Sequence, residues 1–201
     1  MENAIIHVVD DDDSMRTSLT RLLSASGYET RSYRSAGEFL MSERPAAGGC
    51  VVLDLKMPGP SGLDLQEALA KDARPLPVIF LTGNGDIPTS VLAMKAGAVD
   101  FLTKPVQRER LMSAIADALS VDAKRRADDE RMRVLRERYR SLTLREREVF
   151  AGVAAGLLNK QIAAELGTSE RTIKAHRAQV VEKMQARSIA ELVRAADQLK
   201  P

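Results

Sequence analysis

The chain has 201 residues, 29% charged and 44% apolar, with a formal net charge of +2. That is ample for a real core in one large domain or two small ones. A single cysteine, Cys50, excludes a disulfide framework or a cysteine metal cage within one chain. No apolar run approaches the roughly 18 residues a membrane span needs, and no basic segment followed by an apolar one opens the chain, so a cytoplasmic protein is expected.

The charge is unevenly spread. Residues 1–120 carry 12 Lys/Arg against 16 Asp/Glu, net −4, whereas residues 121–201 carry 18 against 12, net +6. An acidic part joined to a basic one suggests two jobs, the second involving a polyanion.

In chain order, Ala4–Val9 reads as a buried strand that runs into Asp10-Asp11-Asp12-Asp13. Asp12 and Asp13 suit the N-terminus of a helix starting near Ser14. Asp10 and Asp11 stand at the strand end. The amphipathic stretch Met15–Ala25 ends at Gly27, Tyr28–Tyr33 is a short strand and Ala36–Met41 a helix. Cys50–Leu53 is an apolar run suited to a strand buried on both faces, and it delivers Asp54 to the rim of a sheet. Met57-Pro58-Gly59-Pro60 forces a turn there. Helix Leu63–Lys71, strand Pro77–Thr82, helix Val91–Ala96, strand Val99–Thr103 and helix Leu111–Leu119 follow. Five strands alternating with five helices predict a doubly wound, five-stranded parallel α/β sheet.

In such a sheet ligands bind at the C-terminal strand ends. Here those ends hold Asp10, Asp11, Asp54, Thr82 and Lys104. Crowded carboxylates raise one another's pKa unless a divalent cation neutralises them, and all-oxygen ligation suits magnesium, with manganese as a substitute. A carboxylate nucleophile, two acidic metal ligands, a hydroxyl and a lysine can together accept a phosphoryl group.

VVDDD, VVLDLKMPGPSG, FLTGNGD and AMKAGAVDFLTKP, in this order, resemble the receiver domain of bacterial two-component response regulators, most closely the FixJ and StyR type. The resemblance covers about residues 4–120. It implies Asp54 as phosphoacceptor; Asp10, Asp11, Asp54 and the backbone carbonyl of Lys56 at a magnesium site; and Thr82 and Lys104 on the phosphoryl oxygens. It also implies Thr82 and Phe101 as switch residues, a cis Lys104–Pro105 bond, and Lys56 and Asn84 as positions that tune phosphoryl lifetime.

Residues 120–140 hold eight Lys/Arg and five Asp/Glu with no glycine or proline. Pairs such as Arg126/Glu130, Asp129/Arg133 and Arg133/Glu137 predict a solvated helical linker over 121–141. Met132, Leu135, Tyr139 and Leu142 form a 3-4 stripe that fits either a short helix-pairing seam or docking on one of the two domains.

Beyond it, Thr143-Leu144-Arg145-Glu146 has capping-box form and opens a helix through Ala155. Asn159 can cap a second helix, Lys160–Leu166. Gly167 allows a tight turn, and Ser169 caps a third helix carrying Thr172, Lys174, His176, Arg177, Gln179 and Lys183. Ser188 opens a fourth. Ala163, Gly167 and Ile173 supply the small residue, turn glycine and apolar anchor of a helix-turn-helix.

LTLREREVF, GLLNKQIAAELGTSERTIKAHRAQVVEKM and RSIAELV resemble the LuxR-type DNA-binding domain. The resemblance implies Asn159, Lys160, Ser169, Arg171 and Thr172 near phosphates, and Lys174 and Arg177 facing the major groove. Ala175 and Ala178 depart from the longer side chains of some relatives, which leaves apolar contact with thymine methyls there.

The expected organisation is a receiver over 1–120, a helical linker over 121–141 and a helix-turn-helix domain over 142–201. The expected function is transcriptional control by a response regulator that a sensor histidine kinase phosphorylates on Asp54. Phosphorylation then favours a homodimer on double-stranded promoter DNA, with RNA polymerase as a candidate contact and no membrane partner. No enzymatic activity is expected beyond magnesium-assisted phosphoryl acceptance and slow autodephosphorylation. Two alternatives are a magnesium-dependent phosphohydrolase of the haloacid dehalogenase type, whose Asp-x-Asp the Asp10-Asp11-Asp12 string fits without the usual Gly-Thr, and a receiver whose helical domain binds protein.

Overall fold

The computed structural model describes residues 4–43, 47–72, 74–83 and 87–200. Two compact units, residues 1–126 and 127–201, make up the chain.

The first unit is built on a parallel sheet of β1 (Ile5–Val9), β2 (Glu29–Tyr33), β3 (Gly49–Asp54), β4 (Val78–Thr82) and β5 (Asp100–Thr103), in the order β2-β1-β3-β4-β5. Every residue of β1, β3 and β4 is buried. Their continuous apolar runs follow from having both faces covered. Side chains alternate between the faces with period 2. Val51 and Leu53 join Phe39, Leu65, Leu69 and Phe80 on one side, while Cys50 and Val52 join Leu19, Leu23, Leu111 and Ile115 on the other.

Helices α1 (Asp13–Ala25) and α5 (Arg108–Arg140) therefore cover one face, and α2 (Ala36–Met41), α3 (Gly62–Ala70) and α4 (Ile87–Lys95) the other. Buried Gln66 of α3 donates from Nε2 to the carbonyl of Ala93 at 3.1 Å, tying α3 to α4. Burial pushes the Cys50 thiol up to about 12, with the negative charge of Asp122 adding to the effect, so this cysteine is a core residue and no nucleophile.

Three sequence expectations need correction. α4 begins at Ile87, not Val91, because Pro88 falls in the first turn, where a missing N–H costs nothing. The predicted helix Leu111–Leu119 and the charged linker are one continuous helix, α5, since nothing between them can break it. Asn159 does not cap α7 (Asn159–Glu165). Leu158 holds that position and its N–H is taken by the Gln161 side chain at 2.8 Å.

The second unit packs the end of α5 with α6 (Leu144–Ala154), α7, α8 (Glu170–Met184) and α9 (Ile189–Leu199). Leu142 is buried in its core, and Leu135 and Tyr139 pack against it, so the apolar stripe docks on the helical unit. Burying a leucine-sized side chain is worth about 1.5–3 kcal/mol, well above what an exposed ion pair adds, so this docking outweighs the surface pairs along α5.

The capping box at Thr143 forms as expected. Its Glu146 does more than cap. Buried, it also accepts from Lys183 Nζ at 2.7 Å and so joins α6 to α8.

Lys183 first, and the Thr143 N–H after it, hold Glu146 below the ordinary value of 4.5. A depressed carboxylate contributes stability that is present above its unfolded value and lost as pH falls through the folded one. Glu146→Gln is therefore expected to destabilise the helical unit by about 1.5–3 kcal/mol at pH 7. The deficit should shrink below pH 4.5. Urea unfolding read by pulsed hydrogen exchange in α6 and α8 checks both points, and an equal deficit at pH 7 and pH 3.5 would contradict them.

Candidate functional site

Parallel strands end their hydrogen bonding at one edge of the sheet, and the polar residues that follow β1, β3, β4 and β5 meet there. Asp10 is buried and Asp54 is 7% exposed, whereas Asp11 is exposed. Carboxylate oxygens of Asp10, Asp11 and Asp54 lie within 4.8 Å of one another. Lys104 spans two of them, with Nζ 2.8 Å from Asp10 Oδ2 and 3.2 Å from Asp54 Oδ1.

Local structure explains these positions. Asp12 caps α1 by accepting from the N–H groups of Ser14 and Met15, and its own N–H bonds to Asp10 Oδ1 at 3.0 Å. The cap thereby aims Asp10 into the pocket. Arg16, which sequence reasoning had passed over, donates to the Asp10 carbonyl at 2.7 Å and pairs with Asp13.

At the end of β3, Gly62 lets α3 approach. A Cβ there would lie 2.6 Å from the Asp54 carbonyl oxygen and 3.0 Å from the Phe80 ring. After β5 the Lys104 N–H donates to the Thr82 carbonyl at 2.7 Å, and the Lys104–Pro105 bond is cis, as the resemblance implied.

Burial raises the pKa of Asp54 above its usual 3.8. Repulsion by Asp10 adds to the rise and Lys104 opposes it. Burial also works against the Lys104 ammonium, but Asp10 and then Asp54 outweigh it, so its pKa is raised and the lysine stays charged.

Thr82 is buried at the end of β4, next to Thr103 in the sheet register. Phe101 is half-buried on β5, its ring centroid 6.3 Å from that of Phe80. Lys56 is exposed just after Asp54, and Asn84 lies outside the described residues. The pocket thus brings together Asp10, Asp11, Asp54 and Lys104, with Thr82 and Phe101 on the adjoining strands. Three carboxylates, all oxygen donors, fit a hard divalent cation in chemistry and spacing.

In the helical unit, α7 and α8 form the helix-turn-helix. Ala163 and Ile173 are buried, and Gly167 turns with φ of 61°, a conformation that favours glycine. Ser169 caps α8 by accepting from the Thr172 N–H at 3.1 Å, and the two hydroxyls lie 2.9 Å apart. Both side chains are thus engaged locally.

Lys160, Arg171 and Lys174 are exposed and make no ion pair among the described residues. Ala175 and Ala178 are also exposed on α8. Arg177 is half-buried and donates to Asn159 Oδ1 at 2.5 Å, an α7–α8 link that sequence reasoning did not foresee because the partners are 18 positions apart. Among the described residues, no helix is long and apolar enough to cross a membrane.

Residues 6–116 match the response regulator receiver domain family and residues 140–196 the luxR family of bacterial regulatory proteins. The chain belongs to the two-component response regulators that carry a receiver and a LuxR-type DNA-binding domain.

Among its relatives, nodulation protein W of Bradyrhizobium diazoefficiens is 47% identical over 196 residues, 98% of this chain and 86% of that one. The transcriptional regulatory protein FixJ of Rhizobium meliloti is 40% identical over 98% of this chain and 96% of its own. Two solved structures are similar over nearly full length. Response regulator StyR has a TM-score of 0.86 at 43% identity, covering 98% of this chain and 99% of its own. Full-length FixJ from B. japonicum has 0.60 at 41%, covering 98% of each. The family matches favour the regulator reading over the phosphohydrolase one, and DNA over protein as the target of the helical unit.

If Asp11 completes the metal site, Asp11→Asn should weaken magnesium binding at least about tenfold, a size typical of disturbed metal sites. Titration calorimetry measures this directly, and unchanged affinity would move the metal elsewhere.

Proposed function

We propose that a sensor histidine kinase supplies the phosphoryl group, that Asp54 accepts it, and that acceptance drives dimerisation and promoter binding by the helical unit. The observation that carries this reading is the Lys104 bridge, a cation lying between Asp10 and Asp54 at the open edge of the sheet. Asp54 attacks the phosphorus through a carboxylate oxygen as the P–N bond to the kinase's phosphohistidine breaks and its imidazole leaves, and Lys104 and Thr82 hold the transferred phosphoryl oxygens. Asp10, Asp11, Asp54 and the carbonyl of Lys56 would hold magnesium, with manganese as a substitute. The bound ion supplies charge neutralisation at the transferring phosphoryl group. Hydrolysis of the aspartyl phosphate, slow and tuned from Lys56 and Asn84, resets the protein. A kinase donor and a promoter target put the working compartment in the cytoplasm.

An aspartyl phosphate brings roughly two negative charges to the pocket. Movement of Thr82 toward it vacates space that Phe101 can fill, remodelling the α4–β5 face. Ile87, Val91, Leu92 and Met94 of α4 are exposed apolar side chains, which supports that face as the dimer surface. A dimer brings two helix-turn-helix units to a two-fold operator and raises affinity through effective concentration. There Lys174, with Ala175 and Ala178, reads base edges. Lys160, Arg171, Ser169 and Thr172 face phosphates, and Arg177 is steadied by Asn159. RNA polymerase is the partner next in line.

The test combines sedimentation with binding to a duplex that wild-type protein selects from a randomised pool. Phosphodonor-treated wild type should sediment as a dimer and bind more tightly, while Asp54→Asn stays monomeric. Lys174→Ala should relax preference at one base position, whereas Lys160→Ala weakens all sequences alike and flattens the salt dependence. Equal mass and equal DNA affinity with and without phosphodonor would overturn the proposal.

A further inference from the structure

Among the described residues the first unit buries three carboxylates, Asp10, Asp54 and Asp122. Two belong to the pocket. The third lies on α5 near the opposite edge of the sheet, where β3 begins, within the stretch that composition alone marks as solvated linker. Asp122 is 3% exposed, and its Oδ2 accepts from the Gly49 N–H at 3.1 Å. Its other oxygen pairs with Arg125, which in turn donates to the Pro75 carbonyl. One turn of α5 is thereby bonded to the start of β3 and to the loop leading into β4.

Sterics point the same way. A Cβ on Gly48 would fall 2.5 Å from Asp122 Oδ2 and 2.5 Å from Arg126 Nη1. Gly48 therefore admits the clamp, and a larger residue would push it off. Leaving a buried carboxylate without these partners is costly, so α5 is held in one rotation and one axial position here. Beyond Arg126, α5 is surface helix until Leu135 and Tyr139 join the core of the second unit.

We propose that Asp122 is a positioning residue for signal transfer. It makes residues 117–126 of α5 a rigid extension of the receiver, anchored to the start of β3, whose far end carries Asp54, and to the loop that leads into β4, whose far end carries Thr82. A rearrangement at the pocket then reaches the helix that continues into the DNA-binding unit, rather than being lost in a loose connector. The inference rests on the response-regulator function proposed above.

The experiment uses the full chain as wild type, Asp122→Ala, Asp122→Asn and Gly48→Ala, each treated with acetyl phosphate and magnesium. Three quantities are read: phosphoryl incorporation by intact mass, hydrogen-exchange protection over residues 117–126, and the gain in affinity for the selected duplex on phosphorylation. Asp122→Ala is expected to incorporate phosphate as wild type does, to lose at least about tenfold in protection, and to lose most of the gain in affinity. Asp122→Asn keeps an oxygen for Gly49 N–H and should retain most of both.

Gly48→Ala leaves the carboxylate in the chain but displaces it, and should follow Asp122→Ala. It decides the matter should Asp122→Ala fail to incorporate phosphate. Wild type that shows no gain on phosphorylation would bring down the function itself. Normal coupling in wild type, with protection and gain unchanged in Asp122→Ala and Gly48→Ala, would overturn this proposal alone.

Discussion

Negative charge crowded at the open edge of a buried sheet is the constraint on which the rest depends. Asp10, Asp11 and Asp54 contribute three carboxylates and Lys104 one ammonium, leaving a formal excess of two negative charges. Burial makes this expensive, as the raised pKa of Asp54 shows. An excess of two suits one divalent cation. In the proposed function it also makes the pocket responsive, because an added phosphoryl group would change the charge that Lys104 must balance.

Holding those groups together requires the parallel sheet. β1 and β3 are neighbours in register, so Val9 pairs with Leu53 and the residues after them emerge side by side. β4 next to β3 puts Thr82 within the same edge, and β5 next to β4 brings in Lys104. Gly62, Asp12 and Arg16 serve this geometry from outside by fixing the two loops that carry Asp54 and Asp10. The same economy recurs in the helical unit. There Glu146 both caps α6 and anchors Lys183 of α8, so the capping interaction also positions the second helix of the helix-turn-helix.

Much of this is legible in the sequence. Continuous apolar runs ending in acidic or polar residues mark β1, β3 and β4, a capping box marks α6 and the capping serine Ser188 marks α9, at the residues observed. Interactions local in sequence leave local signatures. What was missed is long-range or ambiguous in type. Asp122 sits in a run of charges, and its bond with Gly49, 73 positions away, leaves no signature in that run. Lys183 and Arg177 read as free cations on a basic face, yet Glu146 and Asn159 engage them. The start of α4 was misplaced because Pro88 suggests a break when taken alone and is harmless in a first turn.

In the proposed function the carboxylate at the end of β3, and no other in the pocket, takes the phosphoryl group. The most direct test is borohydride trapping of the acyl phosphate in full-length protein treated with acetyl phosphate and magnesium, followed by peptide mapping. A single trapped site, Asp54, is expected, with none on Asp10 or Asp11. Trapping on Asp10 instead would contradict it and return the pocket to the chemistry of a phosphohydrolase.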